Sequence, residues 1–327
     1  MTAPYPWLDL PWHRFVAQWS AGRLPHALLL TGPCGLGKRA FAEAISRTVL
    51  CRQASGAGVP CGGCDDCRMG AGGHHPDSVR IEPSVEHPSI RVDEIRAIGD
   101  FVGHTSHSGG LKIILIFQAE RMNINAANSL LKTLEEPPPS NLLILLSEAP
   151  SLLPATVRSR CQRWAFQAPP RAQAAAWLQS RIAAGGDPYA LLELANGAPL
   201  AALALQSEGG LARRQSLFQG YRDALLGKQA SARAAQSWGK DEWLEESRWL
   251  ASWQRDLLRL KLAGGAIRLE NPDLASELRT LAGRWTAYKL LKYHDKVMEL
   301  MALNVTQVNI QLQLESLLME CAADAAH

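Results

Sequence analysis

The sequence predicts an α/β domain built on a parallel sheet, followed by segments that are entirely helical. Short strand-like runs alternate with helical patterns over about the first half of the chain, as in sheets with helical connections. Two of these runs are almost wholly apolar, which is typical of central strands covered on both faces. Beyond Ala168 the apolar spacing is helical, so the sheet belongs to the first part of the chain.

Five runs of four or five residues are the candidate strands. The runs at residues 113–117 and 142–146 are the nearly continuous apolar ones, so we expect them at the centre of the sheet. The full set of candidates is residues 27–30, 79–82, 113–117, 142–146 and 163–166.

Two amphipathic helices are predicted between the strands. Pro88 and the N-cap candidate Ser89 would introduce the first, and the second covers about residues 125–134. Apolar residues recur at spacings of three and four in the first helix, at Val92, Ile95, Ile98 and Val102.

A short helical segment follows the sheet. Its two helices are predicted at residues 171–183 and 190–195, and Gly197 and Pro199 end the second. This size suits a small lid.

A longer helix is predicted in the last third of the chain. Asp241 would cap it, and Gly264 and Gly265 would stop it. Trp249 and Trp253 lie one turn apart, and we interpret them as helix-packing residues rather than a ligand-binding box. One face of this helix carries Leu250, Trp253, Leu257 and Leu260.

A glycine-rich turn follows the first candidate strand and leads into a helix that begins near Lys38. Its sequence is Gly32-Pro33-Cys34-Gly35-Leu36-Gly37-Lys38-Arg39, the pattern of a P-loop. In such a loop the glycines let backbone amides surround phosphate oxygens, and the lysine reaches the terminal phosphates. The pattern therefore predicts a nucleotide site at Gly32, Gly35, Gly37 and Lys38.

Two ligands that would hold Mg²⁺ beside this loop are missing. The residue after the lysine should be Ser or Thr, and here it is the cation Arg39. The acid expected after the next core strand is replaced by Gln118, and Glu120 is displaced by two positions. Three interpretations stay open: a turn that binds nothing, binding of ATP or ADP without useful hydrolysis, and a competent ATPase.

Four cysteines have the spacing of a zinc site, and Gly62 and Gly63 allow a tight knuckle among them. A closed tetrahedral shell of four thiolates leaves no position for water, so the Zn²⁺ would be structural rather than catalytic. Redox thiols, a chance clustering of cysteines, and a variant in which His74 or His75 replaces Cys51 are the alternatives. The predicted metal ligands are Cys51, Cys61, Cys64 and Cys67.

Composition narrows the class of protein. The chain has 34 basic and 31 acidic residues among 327, a formal net charge of +3, so charge alone indicates no nucleic-acid partner. The sequence holds neither a signal-peptide pattern nor an apolar stretch of about 18 residues. Seven cysteines in a chain without a leader argue against a disulfide framework. We expect a soluble, cytoplasmic protein with no membrane partner.

Four short segments and the cysteine insert together resemble the AAA+ clamp-loader subunits of bacterial DNA polymerase III. Residues 24–30, Leu-Pro-His-Ala-Leu-Leu-Leu, lead into the P-loop, and the four cysteines are inserted after the helix that follows it. Residues 119–122 are Ala-Glu-Arg-Met, and residues 159–161 are Ser-Arg-Cys. The most specific segment is residues 127–138, Ala-Asn-Ser-Leu-Leu-Lys-Thr-Leu-Glu-Glu-Pro-Pro. The resemblance covers nearly all of the sheet and lid segments and is weaker in the C-terminal third.

The resemblance implies three domains and a multi-subunit partner. An AAA+ ATPase-like domain would cover residues 1–167 with a zinc-binding insert at 51–73, a helical lid residues 168–208, and a helical collar residues 209–327. Its relatives assemble with the delta and gamma or tau subunits into a hetero-pentameric ring that loads the sliding clamp on primed DNA. The chain would then be a component of a DNA-directed DNA polymerase holoenzyme.

Departures from the family pattern indicate the subunit that does not hydrolyse ATP and acts as a stator. Members that hydrolyse ATP have a Ser or Thr, an Asp and a lid Arg where this chain has Arg39, Gln118 and Leu200. By resemblance, Arg160 is an arginine finger that acts in trans on a neighbouring subunit's nucleotide, and no catalytic residue acts in cis. Glu135 and its neighbour Glu136 have no predicted role beyond ending a helix.

Two rival functions belong to other classes. In the first, the chain is an autonomous AAA+ motor that acts on DNA and hydrolyses ATP, with Lys38 and Glu120 organising the metal. In the second, it is a zinc-dependent nucleic-acid-binding module. The cysteine segment balances two arginines against two aspartates, which disfavours that second function.

Overall fold

The computed structural model describes residues 3–84, 87, 89–182, 186–207, 209–239, 243–263, 267, 269–303 and 309–325. The chain divides into two compact units, one of residues 1–177 with 198–201 and one of residues 178–197 with 202–327. The predicted boundaries at residues 167 and 208 stay predictions. Some predicted helix limits lie outside the described residues, namely Pro88, Asp241, Gly264 and Gly265. The helix predicted at residues 171–183 ends earlier, at Gln179, since residues 180–182 are described and are not helical.

The first unit contains a five-stranded sheet, and all its strand pairs are parallel. The strand order is β2-β3-β4-β1-β5, with β1 paired to β4 from Ala27 opposite Leu143 to Thr31 opposite Ser147. All five predicted strands are confirmed to within one residue at each end. Their bounds are β1 (Ala27–Thr31), β2 (Ser78–Ile81), β3 (Lys112–Ile116), β4 (Asn141–Ser147) and β5 (Gln162–Ala165).

Seven α-helices occur in the described residues up to 179. Both predicted connecting helices are confirmed, but Arg91 rather than Ser89 caps the first, because the Glu94 carboxylate accepts the Arg91 backbone N–H at 2.7 Å. The short helix α3, which begins directly after Cys64, contains Cys67 and precedes the second strand, was not predicted. The bounds are α1 (Asp9–Ser20), α2 (Lys38–Leu50), α3 (Asp65–Ala71), α4 (Val92–Gly103), α5 (Ile124–Glu135), α6 (Ala155–Arg158) and α7 (Arg171–Gln179).

Alternate residues of the sheet enter two different cores. Leu28 and Leu30 belong to a buried cluster that includes Phe41 of α2, whereas Leu29 belongs to a second cluster that includes Ile98 of α4. Both faces of the sheet are therefore covered, as the apolar runs predict. The predicted fold class is confirmed in its architecture: a domain built on a parallel sheet with both faces covered precedes a helical region.

The second unit is helical. Trp253 is buried in its core, and Trp249 packs against that core, so their interpretation as packing residues is confirmed. No single helix among the described residues is both long and apolar enough to cross a membrane, although one bent pair of short helices meets that test together. The later helices are α8 (Pro188–Leu194), α9 (Pro199–Ser207), α10 (Gly210–Leu225), α11 (Ser231–Gln236), α12 (Trp243–Ala263), α13 (Ala275–Ala282), α14 (Ala287–Leu303) and α15 (Ile310–Ala325).

Candidate functional site

The glycine-rich loop lies at the carboxyl end of β1, where it turns the chain into α2. Gly32 has φ +140, and a Cβ on it would lie 2.4 Å from the carbonyl oxygen of Phe166. Gly35 has φ +76, and a Cβ there would lie 2.6 Å from the Cβ of Ala201. Larger residues would therefore clash at both positions, and the P-loop shape of this turn depends on its glycines.

The Lys38 ammonium bonds to its own loop. Its Nζ donates to the carbonyl oxygens of Gly32 and Pro33, both at 2.6 Å, and the residue is only 6% exposed. Two carbonyls thus hold the cation that the P-loop pattern assigns to the terminal phosphates. A nucleotide at this loop would have to compete with them for the ammonium.

Leu200, at the lid position that carries arginine in relatives that hydrolyse ATP, also contacts the glycine-rich loop. The backbone N–H of Leu200 donates to the carbonyl oxygen of Gly35 at 3.1 Å. Ala201 packs directly against Gly35. The first unit therefore closes one side of the loop with a backbone bond and apolar groups instead of a cation.

Arg39 occupies the place of the missing Ser or Thr. Its guanidinium forms an ion pair with Glu82 and lies 4.0 Å from the ring centre of Phe117. Both contacts hold the guanidinium beside the residues that directly follow β2 and β3, and Arg39 offers no hydroxyl that could ligate Mg²⁺.

Within the part of the chain that the structure describes, no cluster of metal-ligating side chains forms at the end of β3. Gln118 adopts a left-handed conformation, with φ 50, and its buried Oε1 has no hydrogen-bond partner among the described residues. Glu120 accepts the backbone N–H of Glu148 at 3.0 Å, so its carboxylate supports the chain after β4. This bond gives Oε1 of Glu120 a structural role, while its buried Oε2 has no hydrogen-bond partner among the described residues.

Tyr5 and Trp7, which no sequence pattern pointed to, cover another side of the loop. Nε1 of Trp7 donates to the carbonyl oxygen of Leu36 at 3.0 Å, and a Cβ on Gly37 would lie 2.6 Å from the Tyr5 ring. The two aromatic rings stack with their centres 5.0 Å apart. Residues distant in sequence thus fix the loop, which no motif within the loop could reveal.

The four predicted metal ligands come together in one cluster. Their sulfur atoms all lie within 4.8 Å of one another, with Cys51 to Cys64 and Cys61 to Cys67 both at 3.9 Å. Cys64 also caps α3, because its sulfur accepts the backbone N–H of Cys67 at 3.4 Å. Four thiols at these distances could hold one metal ion, and a tetrahedral ion such as Zn²⁺ suits an all-sulfur set.

Backbone amides favour the negatively charged form of one cysteine in this cluster. The N–H groups of Gly63 and Cys64 lower the pKa of Cys61 to about 6, which favours its thiolate near neutral pH. Desolvation by burial, followed by hydrogen bonds to neighbouring cysteines, raises the pKa of Cys67 to about 12. A bound cation would oppose this rise because it favours every thiolate around it.

The two nearby histidines lie outside the described cysteine cluster. His75 is buried, and its Nδ1 accepts the backbone N–H of Asp77 at 3.0 Å, so Nε2 carries the proton that faces Asp66 at 3.3 Å. His74 is exposed. The alternative in which a histidine replaces Cys51 is therefore not favoured, since Cys51 is itself part of the cluster.

Arg160 lies two residues after the end of α6, and its side chain is 36% exposed. Its Nη1 donates to the carbonyl oxygen of Thr156 at 3.0 Å and to Oγ of Ser159 at 3.4 Å. Its Nη2 lies 2.7 Å from Oε1 of Glu135, at the end of α5. The ion pair with Glu135 was not predicted, because sequence spacing carries no sign that these two chain segments meet.

Comparison of the sequence with known proteins shows the family to which this chain belongs. The family model described as DNA polymerase III, delta subunit, matches residues 9–170, and the model for the C-terminal region of the delta subunit matches residues 208–322. The DNA polymerase III subunit delta' of Pseudomonas aeruginosa is 34% identical over 98% of this chain and 97% of its own length. The Escherichia coli protein of the same name is 32% identical over 96% and 94%.

A solved structure is also similar. A DNA polymerase III gamma subunit-related protein from Thermotoga maritima covers 95% of this chain and 99% of its own, at 18% identity and a TM-score of 0.45. The two full-length sequence matches, together with the matched family regions, carry the conclusion: this chain belongs to the DNA polymerase III delta-prime subunit family.

Proposed function

We propose that this chain is the stator of a bacterial clamp loader, which hydrolyses no ATP itself and supplies Arg160 to a neighbouring ATPase subunit. The observation that carries this proposal is the state of the P-loop. Lys38 bonds to two loop carbonyls, and Arg39 pairs with Glu82, so both cations are engaged by the protein itself. A loop held in this way serves as a fixed structural element rather than as a site that opens and closes with nucleotide.

Arg160 differs from Lys38 in its exposure. More than a third of its side chain reaches the surface, whereas Lys38 is almost completely buried. A guanidinium can donate two parallel hydrogen bonds to phosphoryl oxygens and stabilise charge in phosphoryl transfer. The more exposed cation of the two is therefore Arg160, the residue that the family resemblance assigns to a finger acting in trans.

The cysteine cluster takes a structural Zn²⁺ in this proposal. The four sulfurs lie close enough for one tetrahedral ion, and a full set of four protein ligands leaves no open catalytic position. The metal would order the insert at residues 51–73, which supplies few apolar residues of its own.

The partners in this proposal are the delta and gamma or tau subunits, in a hetero-pentameric ring that acts on the sliding clamp and primed DNA. Membership of the delta-prime family supports participation in the DNA polymerase III clamp-loader complex. We further propose the division into a sheet domain (1–167), a lid (168–208) and a collar (209–327), with the collar making the contacts of the ring.

The test is ATP hydrolysis by the purified chain and by the reconstituted loader. The chain alone should show no magnesium-dependent turnover. A loader that contains Arg160→Ala should assemble normally but hydrolyse ATP more slowly in the presence of clamp and primed DNA. Arg158→Ala, which removes an exposed arginine on α6, is the matched control and should leave the rate unchanged. Substantial turnover by the chain alone would overturn the proposal.

A further inference from the structure

Arg160 is held by two separate elements of the sheet domain. The Thr156 carbonyl and the Ser159 hydroxyl accept from Nη1, and the Glu135 carboxylate binds Nη2 at 2.7 Å. These three contacts use fewer than the five N–H donors of a guanidinium. The guanidinium plane is thus held through both Nη1 and Nη2. Other N–H donors of the group are left for a further acceptor.

Folding stability does not account for the contact with Glu135. The two side chains are 36% and 51% exposed, and ion pairs with such exposure add little to the free energy of unfolding. Glu135 also lies in the last turn of α5, where the helix dipole disfavours a carboxylate. A glutamate is a poor choice for this position unless its charge meets a cation there.

We propose that Glu135 is a positioning residue for Arg160: it holds the guanidinium in one orientation before the neighbouring subunit's nucleotide arrives. This inference rests on the proposed role of Arg160 as a finger in trans. An arginine side chain has many rotamers, and a group that is already oriented loses less conformational entropy when it meets the transferring phosphoryl group. Glu135 then acts through Arg160 and touches no substrate itself.

The experiment measures clamp- and DNA-stimulated ATP hydrolysis by reconstituted loaders, with assembly verified on a sizing column. Glu135→Ala should lower kcat about two- to fivefold, the upper range for a partly exposed ion pair, and leave the KM for ATP unchanged. Glu135→Gln keeps an oxygen acceptor and should retain more of the rate than alanine. Glu136→Ala removes the neighbouring exposed carboxylate and is the matched control, which should behave as the unmodified chain.

A double variant separates positioning from a general structural role. If Glu135 acts only through Arg160, Glu135→Ala should have no further effect in a loader that already carries Arg160→Ala. An additive loss in the double variant would overturn the inference. A faster rate for Glu135→Ala would overturn it as well, since the pair would then withhold the arginine rather than orient it.

The same variants distinguish failure of this inference from failure of the proposed function. If Arg160→Ala has no effect on the rate, the finger role itself fails. If Arg160→Ala slows hydrolysis and Glu135→Ala does not, the finger role stands and the positioning role of Glu135 is wrong.

Discussion

Nε2 of His75 lies 3.3 Å from Oδ1 of Asp66, and both side chains are almost completely buried. Asp66 belongs to α3, which carries the cysteine cluster, and it also binds Nε of Arg52 at 2.9 Å. His75 accepts the backbone N–H of Asp77, which directly precedes β2. The His75 imidazole therefore connects α3 to the segment that precedes β2, the strand at one edge of the sheet.

Loss of this imidazole should destabilise the protein without removing the metal. His75→Ala leaves the Asp77 amide without its acceptor and removes one of the partners of the buried Asp66, which should cost about 1–3 kcal/mol in the free energy of unfolding. Urea denaturation measures this loss, and elemental analysis should give the same zinc content as before. His74→Ala, which truncates the exposed neighbour, should change neither quantity. A loss of zinc in His75→Ala would make this histidine a ligand after all.

The cysteine cluster should bind one zinc ion per chain. Cys64→Ser removes one of the four sulfurs and should abolish stoichiometric zinc, because a structural site with four ligands depends on all of them. The insert should then become sensitive to protease while the sheet still unfolds cooperatively, since the sheet has its own two cores. Cys34→Ser changes an exposed thiol outside the cluster and should keep its zinc. Absence of zinc from the unmodified chain, purified without chelator, would contradict the prediction.

Asp77 should make stability depend on pH in the acidic range. Burial raises the pKa of its carboxyl group, but the Ser108 hydroxyl, the Ser108 and His107 backbone amides and the Ser106 hydroxyl together lower it to about 2. The folded-state pKa thus lies below the unfolded value of 3.8, so the contribution is complete above about pH 4 and is lost as the pH falls towards 2.

The variant Asp77→Asn tests this dependence. It should cost about 2 kcal/mol at pH 7, and the difference from the unmodified chain should shrink between pH 4 and pH 2. Chemical denaturation at several pH values measures this difference. Asp93→Asn, at an exposed carboxylate on α4, should differ little from the unmodified chain throughout. A difference for Asp77→Asn that stays constant down to pH 2 would disprove the assigned bonds.

The sequence predicted the parts of the fold that depend on local pattern. The apolar runs around Ile113 and Leu142 form buried strands because both faces of the sheet are covered. The helix cap at Arg91 was missed because Glu94 provides the acceptor, which makes an arginine suitable at a position where Ser, Thr, Asn or Asp is usual. Helix α3 was missed because Cys64 caps it with a sulfur, and the local spacing has no apolar face.

The candidate site was predicted only in part, for a different reason. The glycines, Lys38 and the cysteines follow one another in short motifs, so the sequence displays them. The contacts that determine their chemistry join distant segments: Arg39 with Glu82, Leu200 with Gly35, and Arg160 with Glu135. Such pairs depend on strand order and on the packing of helices, and no residue spacing along the chain reports them.

Restoration of magnesium binding at the P-loop should require two changes. Arg39→Thr supplies a hydroxyl, and Gln118→Asp supplies the carboxylate for the other side of the ion. The double variant should bind ATP in a magnesium-dependent way, whereas neither single variant should. Turnover should stay absent, because Leu200 offers a backbone N–H to Gly35 where hydrolysing relatives have an arginine. Titration with a fluorescent ATP analogue, with and without Mg²⁺, measures binding, and a single variant that equals the double one would refute this two-ligand account.

Arg160→Lys should fail to restore the ATP hydrolysis that Arg160→Ala lowers. A lysine carries the same charge, but its ammonium is a compact point charge and cannot bind the Thr156 carbonyl, the Glu135 carboxylate and a phosphoryl oxygen in one plane. A finger can contribute about 10³- to 10⁵-fold at its own site. Several sites of the ring hydrolyse ATP in the proposed assembly, so the loss in the whole complex should be partial. The measurement is the rate of ATP hydrolysis by reconstituted loaders that are assembled to the same extent. If the lysine variant hydrolysed ATP as fast as the unmodified loader, positive charge alone would suffice and the planar guanidinium would have no part in the mechanism.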